Sequence, residues 1–98
     1  MRLEDALWLL HGVRFLIISV LMRREAYLSE LESELGISRK ILEYHLRMME
    51  GRGFVSSRPG EREGRPVRLY RATDLAKEAL ELIKGELDRI LEGDGPAD

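Results

Sequence analysis

The stretch Ser29–Phe54 reads SELESELGISRKILEYHLRMMEGRGF and contains two short helical patterns on either side of one glycine. Ser29 and Glu32 have the spacing of a capping box, which predicts the start of a first helix. Gly36 can adopt the left-handed conformation in which such a helix ends, and Ser38 can cap the next one. Two helices joined by so tight a turn predict a helix-turn-helix over residues 29–53.

The predicted second helix has an apolar face and a charged face. Ile41, Leu42, Leu46 and Met49 recur at helical spacing, so we expect them on the buried side. The opposite side is cationic near the amino terminus, the part of a recognition helix that enters a DNA major groove. The residues predicted to face outward are Arg39, Lys40, Glu43, Tyr44 and Arg47.

Charge is distributed unevenly along the chain. The formal net charge of the 98 residues is −2, which by itself does not favour a nucleic-acid partner. Residues 38–71 nevertheless hold nine Arg and Lys against four Glu, a net charge of +5, so the other residues together carry −7. This division predicts a basic surface, suited to a polyanion, on an otherwise acidic protein.

The residues after the helix-turn-helix predict a charged hairpin over residues 54–72. Val55–Ser57 and Pro66–Arg71 have the composition of two strands, and the residues between them favour turns. Arginine in such a hairpin suits a phosphate backbone or a narrow minor groove, although a solvated tip that binds nothing is the alternative. The candidate arginines are Arg58, Arg62, Arg65 and Arg68.

Longer helical patterns flank this region, over residues 3–24 and 74–92. The first is apolar on two sides, and the second, which Thr73 can cap, repeats its apolar residues at spacings of four and three. In so small a chain these faces are predicted to form a homodimer interface, with packing on each other as the alternative. The candidate dimerisation residues are Trp8, Phe15, Ile18, Met22, Leu80, Ile83, Leu87 and Ile90.

Several short motifs resemble those of winged helix-turn-helix transcription regulators. The recognition-helix pattern of ArsR-type proteins resembles three of them, Ile37-Ser38, Tyr44-His45-Leu46 and Gly53-Phe54-Val55. The wing and last-helix entry of PadR- and MarR-type relatives are similar to Gly64-Arg65-Pro66 and the run 69–73. The resemblance implies a mainly α (α+β) fold. Its expected order is helix, short strand, helix, helix, two-stranded wing and C-terminal helix, with residues 1–92 in one domain and 93–98 as a disordered tail.

The resemblance also implies a homodimer that binds a specific sequence of double-stranded DNA and regulates transcription. The second helix would lie in the major groove, with the wing on the backbone or in the minor groove. Ser38, Arg39, Lys40, Tyr44 and Arg47 would then contact DNA together with the wing arginines. Glu43 departs from the ArsR-type pattern, which has a small polar residue there, but a carboxylate can accept from a cytosine amino group. The alternative is a winged-helix adaptor for protein–protein interaction.

Other classes of function lack the residues that they need. The chain has no cysteine and only two histidines, His11 and His45, so no metal and no cofactor is predicted. No nucleophile with its base and no pair of catalytic carboxylates can be assembled, so an enzyme is not expected. The apolar run 13–22 is too short to span a membrane, and we expect a soluble, cytoplasmic protein.

Overall fold

The computed structural model describes residues 1–93, so the predicted tail lies almost entirely outside the described residues. The elements follow the order expected from the sequence and confirm a mainly α winged-helix architecture. They are α1 (Leu3–Leu7), a 3₁₀ turn (Trp8–Leu10), α2 (Gly12–Leu21), β1 (Ala26–Tyr27), α3 (Leu28–Leu35), α4 (Arg39–Gly51), β2 (Val55–Arg62), β3 (Arg65–Ala72) and α5 (Asp74–Leu91).

The N-terminal segment is broken at His11, so the prediction of one helix over residues 3–24 is wrong. The backbone of His11 is extended, with φ −65° and ψ 136°. Its Nδ1 atom accepts a hydrogen bond from the Val13 N–H at 3.3 Å, which caps a new helix. Periodicity misses such a break, because the apolar residues continue through it.

The helix-turn-helix forms α3 and α4, with one shift from the predicted boundaries. Tyr27 occupies the position before α3, and the Glu30 carboxylate accepts from its N–H at 2.8 Å, so the predicted capping box of Ser29 and Glu32 is wrong. Gly36 ends α3 at φ +66°, as expected. Ser38 caps α4 by accepting from the Ile41 N–H at 3.4 Å.

The core lies between α4 and the elements around it. Leu42, Leu46 and Met49 are at most 1% exposed, which confirms their predicted burial, but Ile41 is 47% exposed and that prediction is wrong. α2 and α3 pack on α4, and α1 packs on α5. The largest fully buried side chains of the core are Leu9, Ile17, Ile18, Leu31, Leu42, Leu46, Met49, Val20 and Val55.

The three strands form one antiparallel sheet in the order β1, β3, β2. β2 and β3 pair from Val55 opposite Ala72 out to Arg62 opposite Arg65, so the wing strands are longer than predicted. Only Glu63 and Gly64 connect them, with φ of +54° and +78°. Two consecutive positive φ values suit a tight hairpin turn, which therefore projects as a long, narrow wing.

α5 starts where the wing ends. The Thr73 hydroxyl accepts from the Ala76 N–H at 3.3 Å and donates to the Gly53 carbonyl at 2.6 Å. One side chain thus caps α5, as predicted, and also ties its start to the residues that follow α4.

The predicted dimerisation residues do not share one exposed surface. Ile18 and Ile83 are only 1% and 6% exposed because they belong to the core of their own chain, so their assignment to a partner surface is wrong. Trp8 and Leu80 are half-buried against that core. The remaining four, Phe15, Met22, Leu87 and Ile90, are exposed.

Candidate nucleic-acid interface

The outward face of α4 carries a stripe of polar side chains. Lys40, Tyr44 and Arg47 follow one another at helical spacing and are all exposed. The opposite face is filled by the core residues described above. Arg39 and Glu43 are also exposed, beside the stripe, so all five residues predicted to face outward do so.

Two of the three cations of this face have no carboxylate partner among residues 1–93. The side chains of Lys40 and Arg47 make no hydrogen bond or ion pair with any residue in the described range 1–93. Arg39 has its Nε 3.8 Å from a carboxylate oxygen of Glu32, and both side chains are about half exposed. Exposed pairs at such a distance contribute little and are readily exchanged for another anion.

A cleft separates α4 from the wing. Arg39 and Glu43 line it from α4, and Arg68 and Tyr70 line it from β3, around a volume of about 290 Å³. The Arg68 Nε donates to the Ser57 hydroxyl at 2.9 Å, which holds this guanidinium against the wing. The cleft therefore has arginine on both walls and one carboxylate at the helix side.

The cleft continues towards the wing tip. Its outer part is lined by three arginines and one carboxylate, together with Ser29 of the first turn of α3 and Val67. The charged residues are Arg39, Arg62, Arg65 and Glu63. Arg62 donates to the Ser29 hydroxyl at 3.0 Å, and its guanidinium carbon lies 5.4 Å from the centroid of the Tyr27 ring. These contacts position the tip arginine before any ligand arrives. The sequence pattern indicates only a helix cap at Ser29 and gives no sign of its place in this cleft.

Arg58 lies nearer the base of the wing and does not line the cleft. It pairs with Leu69, so it lies on the face opposite Arg68, whereas Arg62 and Arg65 share its face farther out along the hairpin. The Nε and Nη2 of Arg58 donate to the two carboxylate oxygens of Glu25 at 3.3 and 3.1 Å. The hydrogen bond from Arg58 lowers the pKa of the Glu25 carboxyl. This pair joins the wing to the residue before β1, so the arrangement suits a structural link better than a phosphate contact.

An imidazole pair lies at the joint between α2 and α4. His45 is 7% exposed, its ring centroid lies 4.9 Å from that of His11, and its Nδ1 is buried without a hydrogen-bond partner among residues 1–93. Burial, His11 and Arg14 lower the pKa of His45, so its imidazole is neutral near pH 7. This geometry gives it a structural place behind the outward stripe.

Two arginines cover Trp8, which was predicted to lie in a dimer interface. The guanidinium carbons of Arg14 and Arg52 lie 3.9 and 4.2 Å from the centroid of its ring system. Phe54 stacks on the same ring at a centroid distance of 6.0 Å. Trp8 thus has contacts within its own chain that the sequence pattern did not reveal.

Among residues 1–93, no three His, Asp or Glu side chains are grouped closely enough to hold a metal ion. No helix in this part of the chain has the length and apolar character needed to cross a membrane.

The helix-turn-helix, the hairpin beside it and the cleft between them define a winged helix-turn-helix protein, the fold of ArsR-, PadR- and MarR-type transcription regulators. Residues 11–57 match the family model of the bacterial regulatory proteins of the arsR family. The helix-turn-helix of this chain is therefore similar to that of the arsR family. No curated protein matches the sequence of the chain.

Solved structures extend the likeness over the wing and α5. A transcriptional regulator homologue from Pyrococcus horikoshii OT3 is 25% identical, with a TM-score of 0.75 over 96% of this chain and 94% of that one. A regulator of the MarR family from Enterococcus faecalis V583 is 22% identical, with a TM-score of 0.74 over 86% and 77%. PadR from Bacillus subtilis, in complex with operator DNA, is 20% identical, with a TM-score of 0.65 over 72% and 45%. The last two support the fold alone.

Proposed function

We propose that this protein is a sequence-specific, double-stranded DNA-binding transcriptional regulator that acts as a homodimer in the cytoplasm, with residues 1–92 as its DNA-binding domain. The proposal depends on one observation, the exposed stripe of Lys40, Tyr44 and Arg47 on α4. The two cations of this stripe have no carboxylate partner among residues 1–93, and the stripe lies beside a cleft with arginine on both walls. The complex of Bacillus subtilis PadR with operator DNA supports the proposal, because that protein shares the fold.

α4 would enter the major groove, which is about 12 Å wide and admits one helix. Arg47 can donate two hydrogen bonds to a guanine, and Lys40 can hold a phosphate as a point charge. Ser38, at the start of α4, offers a hydroxyl and free helix N–H groups to a phosphate. Glu43 faces the wing side of the helix, where it can accept from the amino group of a cytosine.

The wing would bind the DNA backbone or the adjacent minor groove. Arg68 lines the inner part of the cleft beside α4, and Arg62 and Arg65 line its outer part at the wing tip, where Ser29 adds a hydroxyl. Backbone contacts of this kind orient a protein on the duplex without reading its sequence. The wing would therefore supply affinity and α4 specificity.

The dimer is proposed from apolar surface that the described residues leave uncovered. The end of α5 exposes Leu87 and Ile90, which are 50% and 64% exposed, and the N-terminal region exposes Leu10, Phe15 and Leu16. A two-fold axis through such surfaces would place two α4 helices about one DNA turn apart, roughly 34 Å, and predicts a palindromic site. The same apolar surface favours the second candidate, a protein–protein adaptor.

Titrating a labelled duplex with the protein at 50 and 200 mM salt separates the two functions. A regulator that contacts about six phosphates should lose about a thousandfold in affinity between these conditions, because each contact releases counterions. It should also prefer a site selected from a random duplex pool. Weak binding that is the same for every sequence would favour the adaptor instead.

A further inference from the structure

Ile41 is an exposed aliphatic side chain in the first turn of α4. It is 47% exposed, and its exposed neighbours on the same helix are Lys40 and Tyr44. The buried face of α4 is formed by other residues, which already fill its contact with the core. They are Leu42, Leu46 and Met49. Ile41 therefore lies outside the core, at the amino-terminal end of the helix that would enter the groove.

Local stability does not explain an isoleucine at this position. A β-branched residue is a weaker helix former than residues such as lysine and glutamate. Apolar surface that stays in water also contributes no favourable free energy of burial. On α4 it lies away from the wing cleft, whose helix wall is formed by Arg39 and Glu43. Its side chain is thus free to contact a base edge that the charged residues do not occupy.

We infer that Ile41 reads the C5 methyl group of a thymine in the major groove. The inference rests on the proposed function of α4 as the recognition helix. The thymine methyl is the apolar group that base pairs present in the major groove, and contact with an aliphatic side chain removes both groups from water. Lys40 beside it can hold a phosphate and so fix the depth of the helix, which brings the first turn against the bases.

Replacing thymine by deoxyuracil tests this contact, because only the methyl group is lost. A site is first selected from a random duplex pool, and each of its thymines is then replaced in turn. At one position in each half-site, the wild-type protein should bind about fourfold more weakly per replacement, the factor expected for one methyl-sized group left in water.

Ile41→Ala should bind the thymine duplex about fourfold more weakly per half-site and should show no further loss on the deoxyuracil duplex. Ile41→Val is the matched control, because it retains the branched methyl groups and should retain most of the discrimination. Circular dichroism of both variants checks that the exposed substitution leaves the fold intact.

Each result has one interpretation. The inference is wrong if the selected site has no thymine, if every deoxyuracil duplex binds as tightly as its thymine parent, or if Ile41→Ala still discriminates. Specific binding without methyl discrimination rejects the role of Ile41 and leaves the proposed function intact. Absence of specific binding to any duplex rejects the proposed function itself.

Discussion

Removing two unpaired cations should reduce the salt dependence of DNA binding by a calculable amount. Lys40 on α4 and Arg65 at the wing tip are exposed, and their side chains have no ion pair or hydrogen bond with any residue in the range 1–93. Neither side chain supports the fold, so the double variant Lys40→Ala with Arg65→Ala should change the free energy of unfolding by less than about 0.5 kcal/mol.

The magnitude follows from counterion release. Each phosphate contact contributes about 0.9 to the magnitude of the slope of log K against log salt concentration. The double variant removes two contacts from each protomer, so a dimer should lose about four contacts and the magnitude of its slope should fall by about 3.6. For a parent with about six contacts, the remaining fall in affinity between 50 and 200 mM salt would be about tenfold instead of about a thousandfold.

Fluorescence anisotropy of a labelled operator at four or more salt concentrations measures the slope directly. Arg58→Ala is the matched control, because it removes one wing arginine that is held by Glu25 and does not line the cleft. Its slope should equal that of the parent. A double variant with an unchanged slope, or a loss in Arg58→Ala as large as in the double variant, would refute the assignment of the cleft face to DNA.

Three further predictions concern assembly and stability. Leu87→Glu places a charge on a half-exposed apolar side chain of α5 and should give monomers by light scattering, whereas an intact dimer would remove this helix from the interface. Because burial lowers the pKa of His45, the unfolded state binds more protons. Stability should therefore be complete above about pH 6.5 and fall as the pH drops through the folded-state pKa; urea unfolding at pH 7.5 and 5.5 should show this, and His45→Phe should reduce the difference. Thr73→Ala removes the cap of α5 and the bond to Gly53, and should cost about 2 kcal/mol in urea unfolding, whereas Thr73→Ser should be close to the parent.

The sequence identified helix ends and caps that depend on residues close by in the chain. Gly36 ends α3, Ser38 caps α4 and Thr73 caps α5, because each acts on backbone groups within four residues of itself. The shift at Ser29 shows the limit of such reasoning. Two acidic residues compete for one cap, and the backbone conformation of Tyr27 decides that Glu30 makes the contact.

The sequence by itself determined the order of the elements and the basic character of the middle third, since periodicity, capping and charge are local properties. Tertiary structure alone decided which of those charges can act together. Strand pairing turned Arg58 towards Glu25 and Arg68 towards α4, and helix packing covered Ile18 while leaving Ile41 in solvent. These outcomes depend on contacts between residues far apart in the chain, and a one-dimensional pattern does not contain them.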